Sequence, residues 1–214
     1  MKYPLICVDN FYPDPIKVRN FALKQKFEST FKGGFPGKRT DSIHKLDSKL
    51  FNYFCARVFS IFYDFDYEKQ LEWTLNTCFD ITDKSVKEGW IHTDSNMELV
   101  GVLYLTPNSQ IESGTNFYLK NNNYNEESFS HKKVDFFINK KNKQEYFNTL
   151  KNHNENFTKT ITIGNIFNRL IVYDPAMYHA QGNLSNVEER LVQVFHVSKF
   201  NAKMTPLERM RRYD

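Results

Sequence analysis

Apolar residues recur every three to four positions near the start of the chain and at alternate positions through most of its remaining length. From Asp47 to Tyr63, Leu50, Phe54, Val58, Ile61 and Phe62 repeat at helical spacing, with Phe51, Cys55 and Phe59 widening the stripe. That period predicts a helix pressed on a sheet, and so many aromatics on one face read as core rather than as a cofactor box. Upstream, Lys2 to Val8 reads as a strand. Asp9 to Pro15 is a turn cluster opening a helix that reaches about Phe27, with Val18, Phe21, Ala22 and Gln25 on one stripe. Asp14 is placed to cap this helix and Pro15 to fill its first position. The breaker-rich stretch Phe31 to Thr40 is a plain connector or, alternatively, a flap over a pocket carrying Phe35 and Arg39.

From about Glu68 onward the period shortens. Gln70 to Thr82 alternates loosely, and Trp90 to Asp94, Leu99 to Thr106 and Thr115 to Leu119 come next as strands. Residues 121–156 change character, with ten Asn, six Lys and five acidic residues, and read as an insertion holding one short helix rather than as a domain. Thr158 to Ile166, Arg169 to Tyr173, His179 to Gly182 and Arg190 to Ser198 are strand-like again, divided by Gly164-Asn165, Asp174-Pro175 and Gly182-Asn183. Thr205-Pro206-Leu207-Glu208 is a capping box for a last helix, whose Arg209, Arg211 and Arg212 suit its C-terminal dipole better than a nucleic-acid patch. Helices first and many short strands after predict helices packed on a sandwich or barrel.

Composition narrows the class. At 214 residues the chain can build one substantial core, rich in aromatics with 20 Phe and 12 Tyr. A net charge of +4 points to neither nucleic acid nor membrane. No apolar run approaches the roughly 18 residues of a membrane span, and the first residues do not form a signal peptide. Cys7, Cys55 and Cys78 are odd in number and widely spaced, which argues against a disulfide framework and for a reduced, cytoplasmic setting.

The candidate chemistry centres on His92-Thr93-Asp94. In an extended segment residues i and i+2 share a face, so this imidazole and carboxylate project together. With His179 from another strand they make two His and one carboxylate, the facial set suited to non-haem Fe(II) with open positions. A His-x-carboxylate pair is weak by itself, and His153-Asn154-Glu155 offers a second. His153 lies in a polar, Asn-rich stretch, whereas His92 precedes the buried-strand run Leu99 to Leu105, so context favours His92. Bringing ligands from distant strands into one cavity is what a closed jelly-roll does. Arg190 opens an otherwise apolar strand, and a buried cation needs an anionic partner, either an internal carboxylate or a ligand. Arg169 competes for a ligand role but sits at a strand edge. His196 shares the face of Arg190 and Trp90 that of His92; each either lines the pocket or packs in the core. His44 and His131 read as solvent-facing.

In this order the pieces resemble the 2-oxoglutarate- and Fe(II)-dependent oxygenases, in particular the prolyl-hydroxylase-like branch. The resemblance covers roughly residues 90–197. It rests on His92-Thr93-Asp94, on Val102-Leu103-Tyr104-Leu105-Thr106, on Glu112-Ser113-Gly114-Thr115-Asn116-Phe117 and on His179 followed by Arg190. It departs from the family in a His-to-Arg interval of eleven, in a Gly-Gly pair reduced to Ser113-Gly114 and in the insertion at 121–156. The resemblance implies a mainly β fold: a double-stranded β-helix (jelly-roll) core over residues 68–200, helical support over 1–67 and a helical tail over 201–214, in a single domain. It further implies iron held by His92, Asp94 and His179, with 2-oxoglutarate anchored by Arg190 and assisted by the Tyr104 hydroxyl. The activity would be O2-dependent hydroxylation of an unactivated C–H bond in a peptidyl side chain or small molecule, with release of succinate and CO2. The rival classes are a cupin-like metal enzyme without 2-oxoglutarate and a non-catalytic jelly-roll.

Overall fold

A computed structural model describes residues 3–29, 37–63, 71–82, 89–94, 96–125, 143–185, 187–203 and 206–207. The first helix, α1 (Pro15–Leu23), starts where the Asp14 side chain accepts the Lys17 N–H at 3.0 Å. It stops four residues short of the expected Phe27 because the Lys24 and Gln25 N–H groups turn back to the Phe21 and Ala22 carbonyls at 3.2 and 3.0 Å. After the short α2 (Ile43–Leu46) comes α3 (Ser48–Phe62), capped by Asp47, whose carboxylate accepts the Leu50 N–H at 2.9 Å. Most of the predicted stripe of α3 is buried: Phe51, Phe54, Cys55, Val58, Phe59 and Phe62.

Among the described residues ten strands take up the alternating segments: β1 (Ile6–Val8), β2 (Glu28–Ser29), β3 (Lys38–Arg39), β4 (Leu71–Thr82), β5 (Leu99–Tyr104), β6 (Thr115–Lys120), β7 (Phe157–Ile163), β8 (Leu170–Tyr173), β9 (Tyr178–Gln181) and β10 (Arg190–Ala202). They pair antiparallel into a seven-stranded sheet, β1-β8-β5-β10-β4-β3-β2, and a three-stranded sheet, β7-β6-β9. This is the two-sheet arrangement expected of a jelly-roll. Arg39 therefore belongs to a strand, while Phe35 of the same breaker-rich stretch lies outside the described residues.

The period of two assigns each residue of the large sheet to a side. On β10, Leu191, Phe195 and Val197 join Leu99 and Leu103 of β5 and Leu75 and Phe79 of β4 in one core against α1 and α3. Phe54 meets Phe195 edge-on at 5.4 Å, and Phe59 stacks on Phe200 at 5.6 Å. Gly101 leaves room for the Phe195 ring, since a Cβ there would collide with that ring and with the Ile171 carbonyl. The alternate residues Val192 and Val194 face the other way, with Val100, Val102, Tyr104, Ile171 and Tyr173, toward Phe117 of the small sheet. The site lies on this inner side, between the two sheets, with Arg190 coming from β10 and His179 from β9.

Trp90 to Asp94, expected as a strand, is not one: only His92 bridges, to His179, through reciprocal N–H···O bonds of 3.0 and 2.9 Å. The polar insertion supplies the helix expected of it, α4 (Lys143–Asn154), whose Leu150 and His153 are buried. The C-terminal capping box falls mostly outside the described residues; Pro206 and Leu207 form a turn, and the Leu207 N–H reaches the Phe62 carbonyl at 2.7 Å. Among the described residues no helix is long and apolar enough to cross a membrane.

Candidate functional site

The reciprocal bond pair between His92 and His179 sets the two imidazoles side by side on the inner face, ring centroids 4.4 Å apart. Asp94 is fixed two residues on, its N–H donating to the Pro175 carbonyl at 2.9 Å. Its two carboxylate oxygens lie 3.9 Å from His92 Nε2 and 3.4 Å from His179 Nε2. One ligand atom from each residue falls within 4.8 Å of the others, a spacing that can hold one metal ion.

The same backbone chooses the tautomers. His92 Nδ1 lies 2.7 Å from the Trp90 carbonyl and His179 Nδ1 3.0 Å from that of Met177. A carbonyl only accepts, so in both rings Nδ1 carries the proton and Nε2 turns its lone pair toward Asp94. Burial pulls the His179 pKa down to about 4 against a smaller upward push from the Met177 hydrogen bond, so this ring is neutral at ordinary pH. The His92 side chain is 43% exposed against 8% for His179, which leaves the His92 side open to an incoming ligand.

The triad opens into a cavity of about 300 Å³. Its walls include Trp90, Thr115, Tyr173, Arg190 and His196, together with Val100, Val102, Val192 and Val194. Arg190 and His196 thus both line it, about 20 Å apart along β10. Arg190 is only 4% exposed; it donates through Nε to the Ser113 carbonyl at 2.8 Å and through Nη2 to that of Gly114 at 3.5 Å. Its guanidinium sits 5.5 Å from the centre of the Tyr104 ring. No carboxylate among the described residues forms an ion pair with it, so the internal Asp or Glu partner that the sequence left open is not found there. Burial lowers its pKa, and the neighbouring Tyr104 and Asp80 push it back up. Gly114 is needed because the backbone of Ile163 and Asn165 closes against it where a Cβ would stand.

Several polar groups around this cation lack partners of their own. Thr82 faces Arg190 across the β4–β10 ladder, and among the described residues its buried hydroxyl has no hydrogen bond; neither does Nε2 of Gln181, on the cavity wall. The Tyr173 hydroxyl has none among the described residues, and burial, with Asp94 nearby, raises its pKa well above the usual value, so it remains a donor. Tyr104 is not on the wall: its hydroxyl donates to Thr115 Oγ1 at 2.7 Å, and Thr115 is the group that faces the cavity.

Of the other sequence candidates, Arg169 pairs with Asp9 at 2.6 and 2.8 Å, outside the cavity. His44 is exposed, and His131 is outside the described residues. The site also contains a group the sequence did not single out, Asp80. It is 2% exposed and gripped by Arg39 through two bonds of 2.6 Å. A lone carboxylate inside Cys78-Phe79-Asp80-Ile81 was as visible as Arg190 in its apolar strand. Tyr173, in the run before Asp174-Pro175, carried no comparable signal.

A family model described as a family of unknown function (DUF6445) matches residues 1–190. The chain belongs to that family. Among curated proteins none matches its sequence. HygX from Streptomyces hygroscopicus, solved with nickel and 2-oxoglutarate bound, is similar at a TM-score of 0.57 and 10% identity, covering 95% of this chain and 84% of that one. The α-ketoglutarate-dependent epimerase SnoN from nogalamycin biosynthesis gives 0.54 and 10%, over 99% and 85% of the two chains. A Trichoplax adhaerens prolyl hydroxylase, in complex with a hypoxia inducible factor peptide fragment, gives 0.52 and 13%, over 90% and 82%. At these identities the likeness shows the fold: the DUF6445 chain has the double-stranded β-helix of the 2-oxoglutarate/Fe(II) oxygenases, as its motifs implied.

Proposed function

We propose that the protein is an Fe(II)- and 2-oxoglutarate-dependent dioxygenase that hydroxylates an unactivated C–H bond of a peptidyl side chain or small molecule. His92, Asp94 and His179 would hold the iron, and Arg190 the distal carboxylate of 2-oxoglutarate. The observation that carries the reading is Arg190, a buried guanidinium without an ion-pair carboxylate among the described residues, in the cavity that also holds a facial two-His, one-carboxylate set. Leaving a charge unpaired inside a protein costs several kcal/mol. A ligand carboxylate offers a guanidinium two parallel hydrogen bonds and removes that cost.

The donor set suits a redox-active divalent iron and leaves room for exchangeable ligands. The chemistry such an ion would supply with 2-oxoglutarate and O2 is oxidative decarboxylation of the oxo acid to succinate and CO2, coupled to insertion of one oxygen atom into the substrate C–H bond. The chain itself binds, orients and excludes water. Nδ1–H donation to Trp90 and Met177 fixes both rings before any ligand arrives. Thr115, supported by the Tyr104 hydroxyl, and the protonated Tyr173 supply neutral donors beside Arg190. Four valines give the wall an apolar stretch. The three cysteines are free, which suits a reducing cytoplasm.

Anaerobic addition of Fe(II) and 2-oxoglutarate should produce a weak visible charge-transfer band. Asp94→Ala should lose it, and Arg190→Ala should require far more oxo acid to reach it. Oxo-acid affinity unchanged in Arg190→Ala would remove the anchoring role. Metal binding without any response to 2-oxoglutarate would favour a cupin-like enzyme instead.

A further inference from the structure

Among the described residues, the segment that carries His92 has one β-sheet neighbour, through the bridge to His179. On its other side the polar groups of residues 89–91 are met by side chains of α4. Asn154 Oδ1 accepts the Ile91 N–H at 3.2 Å, and Asn154 Nδ2 donates to the Gly89 carbonyl at 3.1 Å. His153, 4% exposed, places Nε2 2.7 Å from the Ile91 carbonyl and Nδ1 2.8 Å from the Tyr124 hydroxyl. The carbonyl can only accept, so Nε2 donates and Nδ1 takes the Tyr124 proton. Trp90 packs on the His153 ring at 5.2 Å, and Phe157 at 4.9 Å. The Trp90 carbonyl in turn holds the Nδ1–H of His92. Three links therefore run from α4 to the imidazole: His153 and Asn154 to Ile91 and Gly89, that backbone to Trp90, and Trp90 to His92.

We propose that His153 and Asn154 are positioning residues for the metal site, their side chains taking the place of a neighbouring strand beside Gly89–Ile91 so that His92 Nε2 is held toward Asp94 and His179. This rests on the assignment of His92, Asp94 and His179 as metal ligands. The polar insertion 121–156 thus provides part of the site's frame, and His153 acts through hydrogen bonds rather than with Glu155 as a second metal motif, the Glu155 carboxylate lying 3.9 Å from Lys151 Nζ. Neither His153 nor Asn154 touches the metal position, so their removal should loosen His92 without deleting a ligand. Groups that orient a metal-bound His typically change metal affinity by about 10–100-fold.

Co(II) titration, followed by its visible ligand-field absorption, tests this on the full chain, with His179→Ala as the control that marks the site. His153→Ala should weaken Co(II) binding by about 10–100-fold and alter the absorption envelope. His153→Gln, whose amide nitrogen can still donate to the Ile91 carbonyl, should recover most of the affinity. Asn154→Ala should weaken binding as well, and it decides the matter should His153→Ala not fold. Folded His153→Ala or Asn154→Ala with wild-type Co(II) affinity and spectrum overturns the proposal, as does a His153→Gln protein no better than His153→Ala. Failure of the wild-type chain to bind Co(II) would strike the metal assignment first, and the positioning role would fall with it.

Discussion

The two faces of β10 are made by one backbone and obey opposite rules. Leu191, Phe195 and Val197 enter a dry core of helix-borne aromatics, where even the polar Gln193 is satisfied by the Tyr12 hydroxyl at 2.9 Å and by Thr77 at 3.1 Å. Arg190, Val192, Val194 and His196 line a cavity around which, among the described residues, the buried Thr82 hydroxyl and Gln181 amide nitrogen make no hydrogen bond and the Arg190 guanidinium has no ion-pair carboxylate. One face minimises free energy by itself. The other stores an electrostatic cost that a ligand can relieve, which is the usual relation between a stable scaffold and a site.

Arg190→Met gives the largest separation of the two faces. Replacing an unpaired buried charge with an apolar side chain of similar length should hold stability or raise it by about 1–4 kcal/mol. The same change should weaken 2-oxoglutarate binding by at least about 30-fold. A fall in Tm with unaltered oxo-acid affinity would make Arg190 a structural residue and erase the contrast. Phe195→Ala addresses the opposite face. It should cost about 3–5 kcal/mol in denaturant unfolding, while folded protein keeps its affinity for metal and oxo acid.

The cavity face should also respond to acid. An unfolded His takes up a proton near pH 6.5, whereas buried His179 holds out to about 4. Between those values the unfolded state binds more protons, so stability rises with pH; the contribution is complete above about 6.5 and lost as pH falls toward 4. Its size is about 3 kcal/mol, to be read from denaturation midpoints in the presence of chelator, with His179→Gln flattening the profile. Gly101→Ala, which forces a methyl group against Phe195 and Ile171, should cost about 1–3 kcal/mol. Asp47→Ala removes only the cap of α3 and should cost about 1 kcal/mol.

Much of this was legible along the chain wherever period and chemistry agreed. The stripe of α3, the Asp14 cap and the alternation of β10 are local patterns with one low-energy solution each. Arg190 stood out because an apolar strand has no other use for a cation. Trp90 to Asp94 misled because it looks like a strand in isolation, yet only one of its residues finds a sheet partner. The resemblance implies that the Tyr104 hydroxyl assists in holding the oxo acid; in the fold that hydroxyl donates to Thr115, the group on the cavity wall.

By itself the sequence determined which residues had to be inside and which could not rest there without a partner, since burial and periodicity are properties of neighbours along the chain. Only tertiary structure decided who those partners are. The meeting of His179 with His92, the grip of Arg39 on Asp80 and the hold of α4 on Gly89–Ile91 join groups 41 to 87 positions apart. Such distances are closed by sheet register and loop packing, whose free energy is spread over the whole core rather than written in any short motif.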